Sequence, residues 1–132
     1  MNYLFDTNNC IALMKNHAKT ASKASSIAPS QCFVSAISLY ELYTGAAKCA
    51  RPLNEIRKIN LLLEHVRSIP FSDSHATVAA TIRANLEIIG KPIGPYDILI
   101  AAVGLCESMT VVTRNLNEFQ RISSLRVENW FD

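Results

Sequence analysis

Short apolar runs alternate along the chain with longer segments in which apolar residues recur every three or four positions. This alternation is typical of an α/β fold, in which helices connect the strands of a largely parallel sheet. Strands are predicted at residues 3–5, 32–35 and 110–113, which are mostly apolar, and also at residues 67–70 and 126–129. We therefore expect a central, mostly parallel sheet of about five strands that is flanked by helices.

Residues with known preferences for helix ends divide the segments between these strands. Pro52 and Pro95 suit the first turn of a helix. Ser72 or Asp73 can cap another helix, which Gly90 would end. Further helices are predicted at residues 8–15, 17–28 and 37–48. The apolar positions with helical spacing are Leu53, Ile56, Leu63 and Val66 after Pro52, and Ala79, Ile82, Leu86 and Ile89 in the stripe before Gly90.

Three carboxylates interrupt this apolar pattern. Asp6 ends the first apolar run, Glu41 lies within the apolar segment 37–43, and Asp97 precedes residues 98–106, which contain no charged residue. A charge in apolar surroundings costs several kcal/mol unless it is paired or binds a cation. No basic residue lies beside Asp6 or Asp97 in the sequence. If the three side chains converge, a metal ion is the natural compensating partner.

Each carboxylate also has a structural interpretation. Asp6 can cap the helix that follows it, and Asp97 lies where the helix dipole favours a negative charge. Glu41 can simply be exposed on an amphipathic helix. The joint occurrence of the three after predicted strands favours a site, because ligands of open α/β sheets collect beyond the carboxyl ends of the strands.

Composition limits the class of protein. With 132 residues, of which 49% are hydrophobic and 18% charged, we expect one compact domain. The uncharged run at 98–106 is too short to span a membrane, and no secretion signal is visible, so we expect a cytoplasmic protein. The four cysteines form no C-x-x-C pair, which argues against a zinc site and favours reduced thiols.

The net charge of +2 is unevenly distributed. Residues 1–60 contain seven Lys/Arg and three Asp/Glu, whereas residues 61–132 contain six and eight. The basic residues of the first half are either solvated helix surface or a face suited to phosphate. They are Lys15, Lys19, Lys23, Lys48, Arg51, Arg57 and Lys58.

The chemistry of the carboxylates narrows the ligand. Two carboxylates about 4 Å apart repel each other by about 4 kcal/mol at an effective dielectric constant of about 20. Either one keeps its proton or a cation lies between them. Oxygen ligands without His or Cys suit Mg²⁺ or Mn²⁺ rather than Zn²⁺. Such ions activate water and polarise phosphate, so phosphodiester hydrolysis is the expected reaction.

The sequence blocks around these carboxylates resemble a known family. The blocks are YLFDTN at residues 3–8, SAISLYELYTGA at 35–46, GPYD at 94–97, and VVTRN at 111–115 with EF at 118–119. In order and spacing they are similar to PIN-domain ribonucleases, and more narrowly to VapC toxins of bacterial toxin–antitoxin pairs. The ending at residues 126–130 also fits, so the resemblance implies one PIN domain over residues 1–132.

The resemblance implies a ligand set and a reaction. Asp6, Glu41 and Asp97 would hold Mg²⁺ or Mn²⁺ and carry catalysis. Many PIN domains have Asp where this chain has Asn115, so Glu118 is the expected fourth carboxylate. The side chains expected to orient the carboxylates or the water are Asn8, Thr113 and Asn115. Hydrolysis would leave a 5′-phosphate and a 3′-hydroxyl.

The same resemblance implies partners. The expected substrate is structured RNA, tRNA in particular, whose cleavage inhibits translation. A VapB-like antitoxin would cover an apolar groove on the first two helices, and a homodimer and a larger toxin–antitoxin complex are expected. Arg114, Lys15 and Lys48 are candidate RNA contacts. Base stacking is one interpretation of Tyr40, Tyr43, Tyr96 and Phe119, and core packing is the other.

Other enzyme classes lack their motifs here. The chain has neither the P-loop nor the G-x-G-x-x-G motif, and it has no G-x-S-x-G. A haloacid-dehalogenase-type phosphatase would need a second Asp at Asn8. The remaining alternative is a catalytically inactive PIN-like module that binds RNA or protein, against which the four acidic residues argue.

Overall fold

The computed structural model describes all 132 residues, whose five strands form one sheet. The strands are β1 (Tyr3–Phe5), β2 (Cys32–Ser35), β3 (Arg67–Ile69), β4 (Thr110–Val112) and β5 (Val127–Glu128). Their order is β3-β2-β1-β4-β5, and every neighbouring pair is parallel. The predicted α/β fold is confirmed. Because the chain builds outward from β1 on both sides, the strand order reverses between β1 and β4, where ligands of such sheets bind.

Seven helices connect the strands. They are α1 (Thr7–Met14), α2 (Ala18–Ser25), α3 (Ala36–Lys48), α4 (Pro52–Leu63), α5 (Asp73–Ile88), α6 (Pro95–Cys106) and α7 (Leu116–Phe119). Ser72, and not Asp73, caps α5 by accepting a hydrogen bond from the N–H of His75. Gly90 follows α5 with a positive φ of 71°, a conformation that glycine adopts without strain. None of these helices combines the length and apolar character needed to cross a membrane.

The core has two parts, because successive strand residues point to opposite faces of the sheet. Leu4 of β1 and its partner Val111 of β4 pack against α5 and α6. Phe5 and its partner Val112 pack with residues of α1, α3 and α4. Trp130, beyond β5, packs its ring 5.3 Å from that of Phe5 and so joins the chain end to the second part of the core.

Several details differ from the sequence-based predictions. Ile89 was expected in the buried stripe of α5, but it lies just beyond the helix end and is 58% exposed. Leu53 is 70% exposed, and Val66 is buried in the turn beyond α4 rather than on the helix. The helix predicted at 17–28 already ends at Ser25. Helix α7, one turn long, was not predicted because it has too few residues for a periodic pattern.

Candidate active site

The carboxyl ends of β1, β2 and β4 lie side by side, and the first polar residues of the candidate site lie at these ends. Asp6 follows β1, Ser35 ends β2 and caps α3, and Thr113 follows β4. Glu41 lies in the second turn of α3, and Asp97 lies in the first turn of α6. The polar groups therefore come from the four connections that join successive strands of the sheet.

Asp6 is buried at the centre of this group, with 5% of its surface exposed. It caps α1, since its Oδ1 accepts a hydrogen bond of 2.8 Å from the N–H of Asn9. Burial raises the pKa of Asp6, and the charge of Glu41 adds to the shift, while hydrogen bonds with Thr113 and Asn9 oppose it. The capping role expected from the sequence is thus confirmed, and it uses one carboxyl oxygen only.

Glu41 is held by a residue that sequence reasoning missed. The hydroxyl of Thr7 donates a hydrogen bond of 2.7 Å to Glu41 Oε1 and lies 3.1 Å from the Ser38 hydroxyl. Asn8, which is predicted to orient the carboxylates or the water, is exposed and makes no side-chain hydrogen bond to a carboxylate. The signal was present in the sequence, because Thr7 stands between Asp6 and Asn8 in the block that carried the resemblance.

Asp97 and Glu118 form the other half of the group. Burial raises the pKa of Asp97 to about 7, helped by a hydrogen bond with Glu118 and by the charges of Glu118, Asp6 and Glu41. A hydrogen bond between two carboxyl groups requires that one of them keep its proton. The four acidic side chains named from the sequence therefore act on one another within a single cluster.

No basic side chain compensates this cluster. The ion pairs of the structure are Lys58–Glu55, His75–Glu107 and Arg83–Glu87. None includes Asp6, Glu41, Asp97 or Glu118. A cluster of carboxyl oxygens without nitrogen or sulfur donors is the environment that Mg²⁺ and Mn²⁺ prefer. The donor chemistry of these residues therefore suits a hard divalent cation.

Comparison with known families decides the identity of this fold and cluster. The family described as PIN domain matches residues 3–125 of the chain. The chain belongs to the PIN-domain family.

Within this family the chain is similar to VapC proteins over nearly its full length. The tRNA(fMet)-specific endonuclease VapC of Salmonella typhimurium is 32% identical over 130 residues, and the ribonuclease VapC2 of Haemophilus influenzae is 37% identical over 131. Each match covers 98% of both chains. A chain in the crystal structure of VapBC2 from Rickettsia felis bound to a DNA fragment from their promoter has a TM-score of 0.92 at 32% identity, covering 98% of this chain and 99% of that one. The predicted resemblance is confirmed.

The remaining predicted site residues lie at different distances from the acidic cluster of this PIN domain. Lys15 lines a groove of about 260 Å³ together with Glu41. Arg114 is exposed, and its guanidinium lies 5.2 Å from the ring centroid of Phe131. Lys48 is exposed in the last turn of α3, about 10 Å along the helix from Glu41.

Asn115 contributes to the PIN-domain site through its backbone. Its N–H donates a hydrogen bond of 2.9 Å to the Thr113 hydroxyl, and its side chain does not cap α7. Thr113 is fully buried, so this contact fixes the hydroxyl that interacts with Asp6. The short helix α7 then begins directly after Asn115 and carries Glu118.

A second cluster of potential ligands lies elsewhere in the PIN domain. Single donor atoms of His75, Cys106 and Glu107 lie within 4.8 Å of one another. His75 Nδ1 accepts a hydrogen bond of 3.0 Å from the N–H of Ser72, which leaves the proton on Nε2. Nε2 then donates to Glu107 Oε2 at 2.8 Å. Both ring nitrogens are occupied by these hydrogen bonds, so His75 has no free nitrogen to offer a metal ion.

The predicted stacking residues separate into two groups. Phe119 is fully buried and belongs to the core, so stacking on it is excluded. Tyr40, Tyr43 and Tyr96 are exposed. The basic residues of the first half line more than one groove, since Lys19 and Lys23 lie in a groove with Trp130, whereas Lys15 shares another with Glu41.

Proposed function

We propose that this protein is a metal-dependent endoribonuclease and the toxin of a VapBC-type toxin–antitoxin pair, built as one PIN domain over residues 1–132. The observation that carries the proposal is the acidic cluster without a basic partner at the carboxyl edge of the sheet. The similarity to VapC ribonucleases over 98% of the chain supports the type of reaction.

Asp6, Glu41, Asp97 and Glu118 would hold Mg²⁺ or Mn²⁺. When bound, such an ion activates water and stabilises charge on phosphate oxygens. The protein fixes the ligands in advance: Thr7 holds Glu41, while Thr113 and the Asn9 N–H hold Asp6. Supporting hydrogen bonds of this kind commonly change metal affinity or activity about 10- to 100-fold.

The raised pKa of Asp97, about 7, has a consequence for ion binding, because this carboxyl group holds its proton more strongly than an ordinary aspartate does. Asp97 and Glu118 would lose this proton on holding a cation, because both side chains would then serve as ligands. We assign Glu118 as the fourth ligand, since it contacts Asp97, and we assign Asn115 to the support of Thr113. Asn8 is solvent-exposed beside the cluster, where it can reach the substrate or water.

The substrate is RNA, and we propose tRNA because a relative at 32% identity is named a tRNA(fMet)-specific endonuclease. Arg114, Lys15 and Lys48 would contact phosphates. Cleavage of tRNA would inhibit translation. The reaction would then take place in the cytoplasm, where translation occurs. The partner would be a VapB-like antitoxin, because similar chains occur in structures of VapBC complexes. A homodimer of this chain within a larger complex is part of the same proposal.

The test is cleavage of tRNA by the purified protein with Mg²⁺ or Mn²⁺ and after chelation. We expect Asp6→Asn to lose at least about 100-fold in rate, because it removes a ligand and not merely a supporting contact. The matched control is Asp73→Asn, an exposed carboxylate at the start of α5. Expression of the chain alone is expected to arrest growth, which Asp6→Asn should relieve. Equal cleavage by Asp6→Asn and the wild type would refute metal catalysis, and arrest by an inactive variant would favour the binding module.

A further inference from the structure

Two exposed tyrosines stand beside the acidic cluster. Tyr40 directly precedes Glu41 on α3, and Tyr96 directly precedes Asp97 on α6. Their ring centroids are 5.6 Å apart with the planes inclined by 60°, and their hydroxyl groups are 3.4 Å apart. Two helices that each supply a carboxylate therefore also supply one half of an aromatic pair.

The pair remains accessible although its rings touch. Tyr40 is 54% exposed and Tyr96 is 43% exposed. If the rings served only to pack α3 against α6, burial of their faces would be expected, since burial is the main source of their stabilising effect. Half-exposed aromatic rings that contact each other leave ring surface free for a further planar group.

The position of the pair relative to the carboxylates limits what that group can be. Neighbouring Cα atoms are 3.8 Å apart, so each ring is anchored within one residue of a proposed metal ligand. A phosphodiester bound at the carboxylates would carry its bases within reach of these rings.

We propose that Tyr40 and Tyr96 form a base platform, on which a nucleobase adjacent to the cleaved phosphodiester stacks and thereby positions the RNA. This inference rests on the proposed ribonuclease function. Stacking requires an unpaired base, so the platform selects loops and single strands over duplex RNA. It accepts any base, because every nucleobase has a π face, and its loss is expected to weaken binding about tenfold.

The test compares RNA hairpins that contain either an intact base or an abasic nucleotide on each side of the cleaved bond. For the wild type we expect the abasic substrate to raise KM about tenfold with little change in kcat. Tyr40→Leu and Tyr96→Leu should raise KM for intact RNA by a similar factor and should not distinguish the two substrates. Tyr96→Phe keeps the ring and should restore the distinction.

Tyr43→Leu is the matched control, because Tyr43 is 40% exposed on the same helix and is not part of the pair. Binding is measured separately with Asp6→Asn protein and an RNA that carries 2-aminopurine next to the cleavage position. Stacking quenches this fluorescent base without any cleavage. An absence of cleavage by the wild type would therefore overturn the ribonuclease proposal, whereas the quenching reports on the platform itself.

Two outcomes would overturn the platform. In the first, Tyr40→Leu and Tyr96→Leu have the same KM as the wild type for intact RNA, and the same higher KM for abasic RNA. In the second, light scattering shows that the leucine variants change oligomeric state, and the wild type treats both RNAs alike. That second result would assign the tyrosines to an interface between copies of the chain.

Discussion

The two ends of helix α6 carry acidic residues in opposite situations. Asp97 lies in the first turn, where the helix dipole favours its charge, and Glu107 lies at the C-terminal cap, where the dipole disfavours it. Yet burial and three acidic neighbours raise the pKa of Asp97 to about 7. Glu107 has a partner, since it accepts a hydrogen bond of 2.8 Å from His75. Local helix electrostatics is thus overridden at both ends by tertiary neighbours.

The contrast between Asp97 and Glu107 shows how a functional site can be distinguished from a structural contact. At the Glu107 end, the carboxylate accepts a hydrogen bond from His75, and the Ser72 N–H orients the His75 ring. These groups therefore need no further ligand. At the Asp97 end the nearest groups are acidic, so the arrangement is unfavourable unless a proton or a cation is bound. Unbalanced charge, more than the number of potential ligands, separates the two clusters.

Exchanging one carboxyl group for an amide at each end tests this comparison most directly. Asp97→Asn should lower the rate of RNA cleavage at least about 100-fold, because a neutral amide is a poorer ligand for a hard cation. Glu107→Gln retains an acceptor for His75 and lies outside the acidic cluster, so its rate should stay within about twofold of the wild type. A large loss in Glu107→Gln, measured at equal folded protein, would contradict the separation.

The Glu107 end should matter for stability instead. His75 is 2% exposed and completes the capping box of α5 while contacting Glu107. His75→Ala leaves a cavity and removes the acceptor of the Ser72 N–H, so we expect a loss of about 2–3 kcal/mol in the free energy of unfolding. Urea denaturation measures this loss. Glu107→Gln serves as its control with a change below about 1 kcal/mol, and an unchanged unfolding midpoint for His75→Ala would show that the contact is dispensable.

Much of the fold was predictable because the three central strands, β1, β2 and β4, are largely apolar on both faces. β1, β2 and β4 are covered by helices on both sides, so their sequences are continuous apolar runs that stand out from the helical segments. Asp6 stood out for the same reason, as a charge at the end of such a run. The errors fell at helix ends. Ile89 has the right spacing for the buried stripe, but the helix ends before it.

The acidic residues of the site were predictable from their residue type. The residues that hold them by hydrogen bonds were not, because those bonds join segments that are distant in the sequence. Thr7 and Glu41 are separated by 34 positions, and only the folded chain shows that the Thr7 hydroxyl meets Glu41 Oε1. His75 and Glu107 are separated by 32 positions, and neither has a spacing that marks a pair. Hydrogen bonds of this kind follow from tertiary packing, for which local sequence patterns carry no signal.

The pH dependence of stability gives the smallest expected effect. Because the pKa of Asp97 is raised from 3.8 to about 7 in the folded state, the folded chain retains a proton that the unfolded chain releases. The stability of the metal-free protein should therefore fall as pH rises from about 4 to about 7 and change little above that range, as far as Asp97 is concerned. We expect a decrease in Tm of only about 5 °C, because Asp97 is only partly buried and solvent screens its interactions. The change is measured by circular dichroism with chelator present. Asp97→Asn should reduce the dependence of Tm on pH, and the exposed control Asp73→Asn should not. Added Mg²⁺ or Mn²⁺ should raise Tm most above pH 7, where the metal ion no longer competes with the proton of Asp97. A Tm that rises with pH in the metal-free protein, or an equal slope in Asp97→Asn, would show that Asp97 is not the group held protonated by its acidic neighbours.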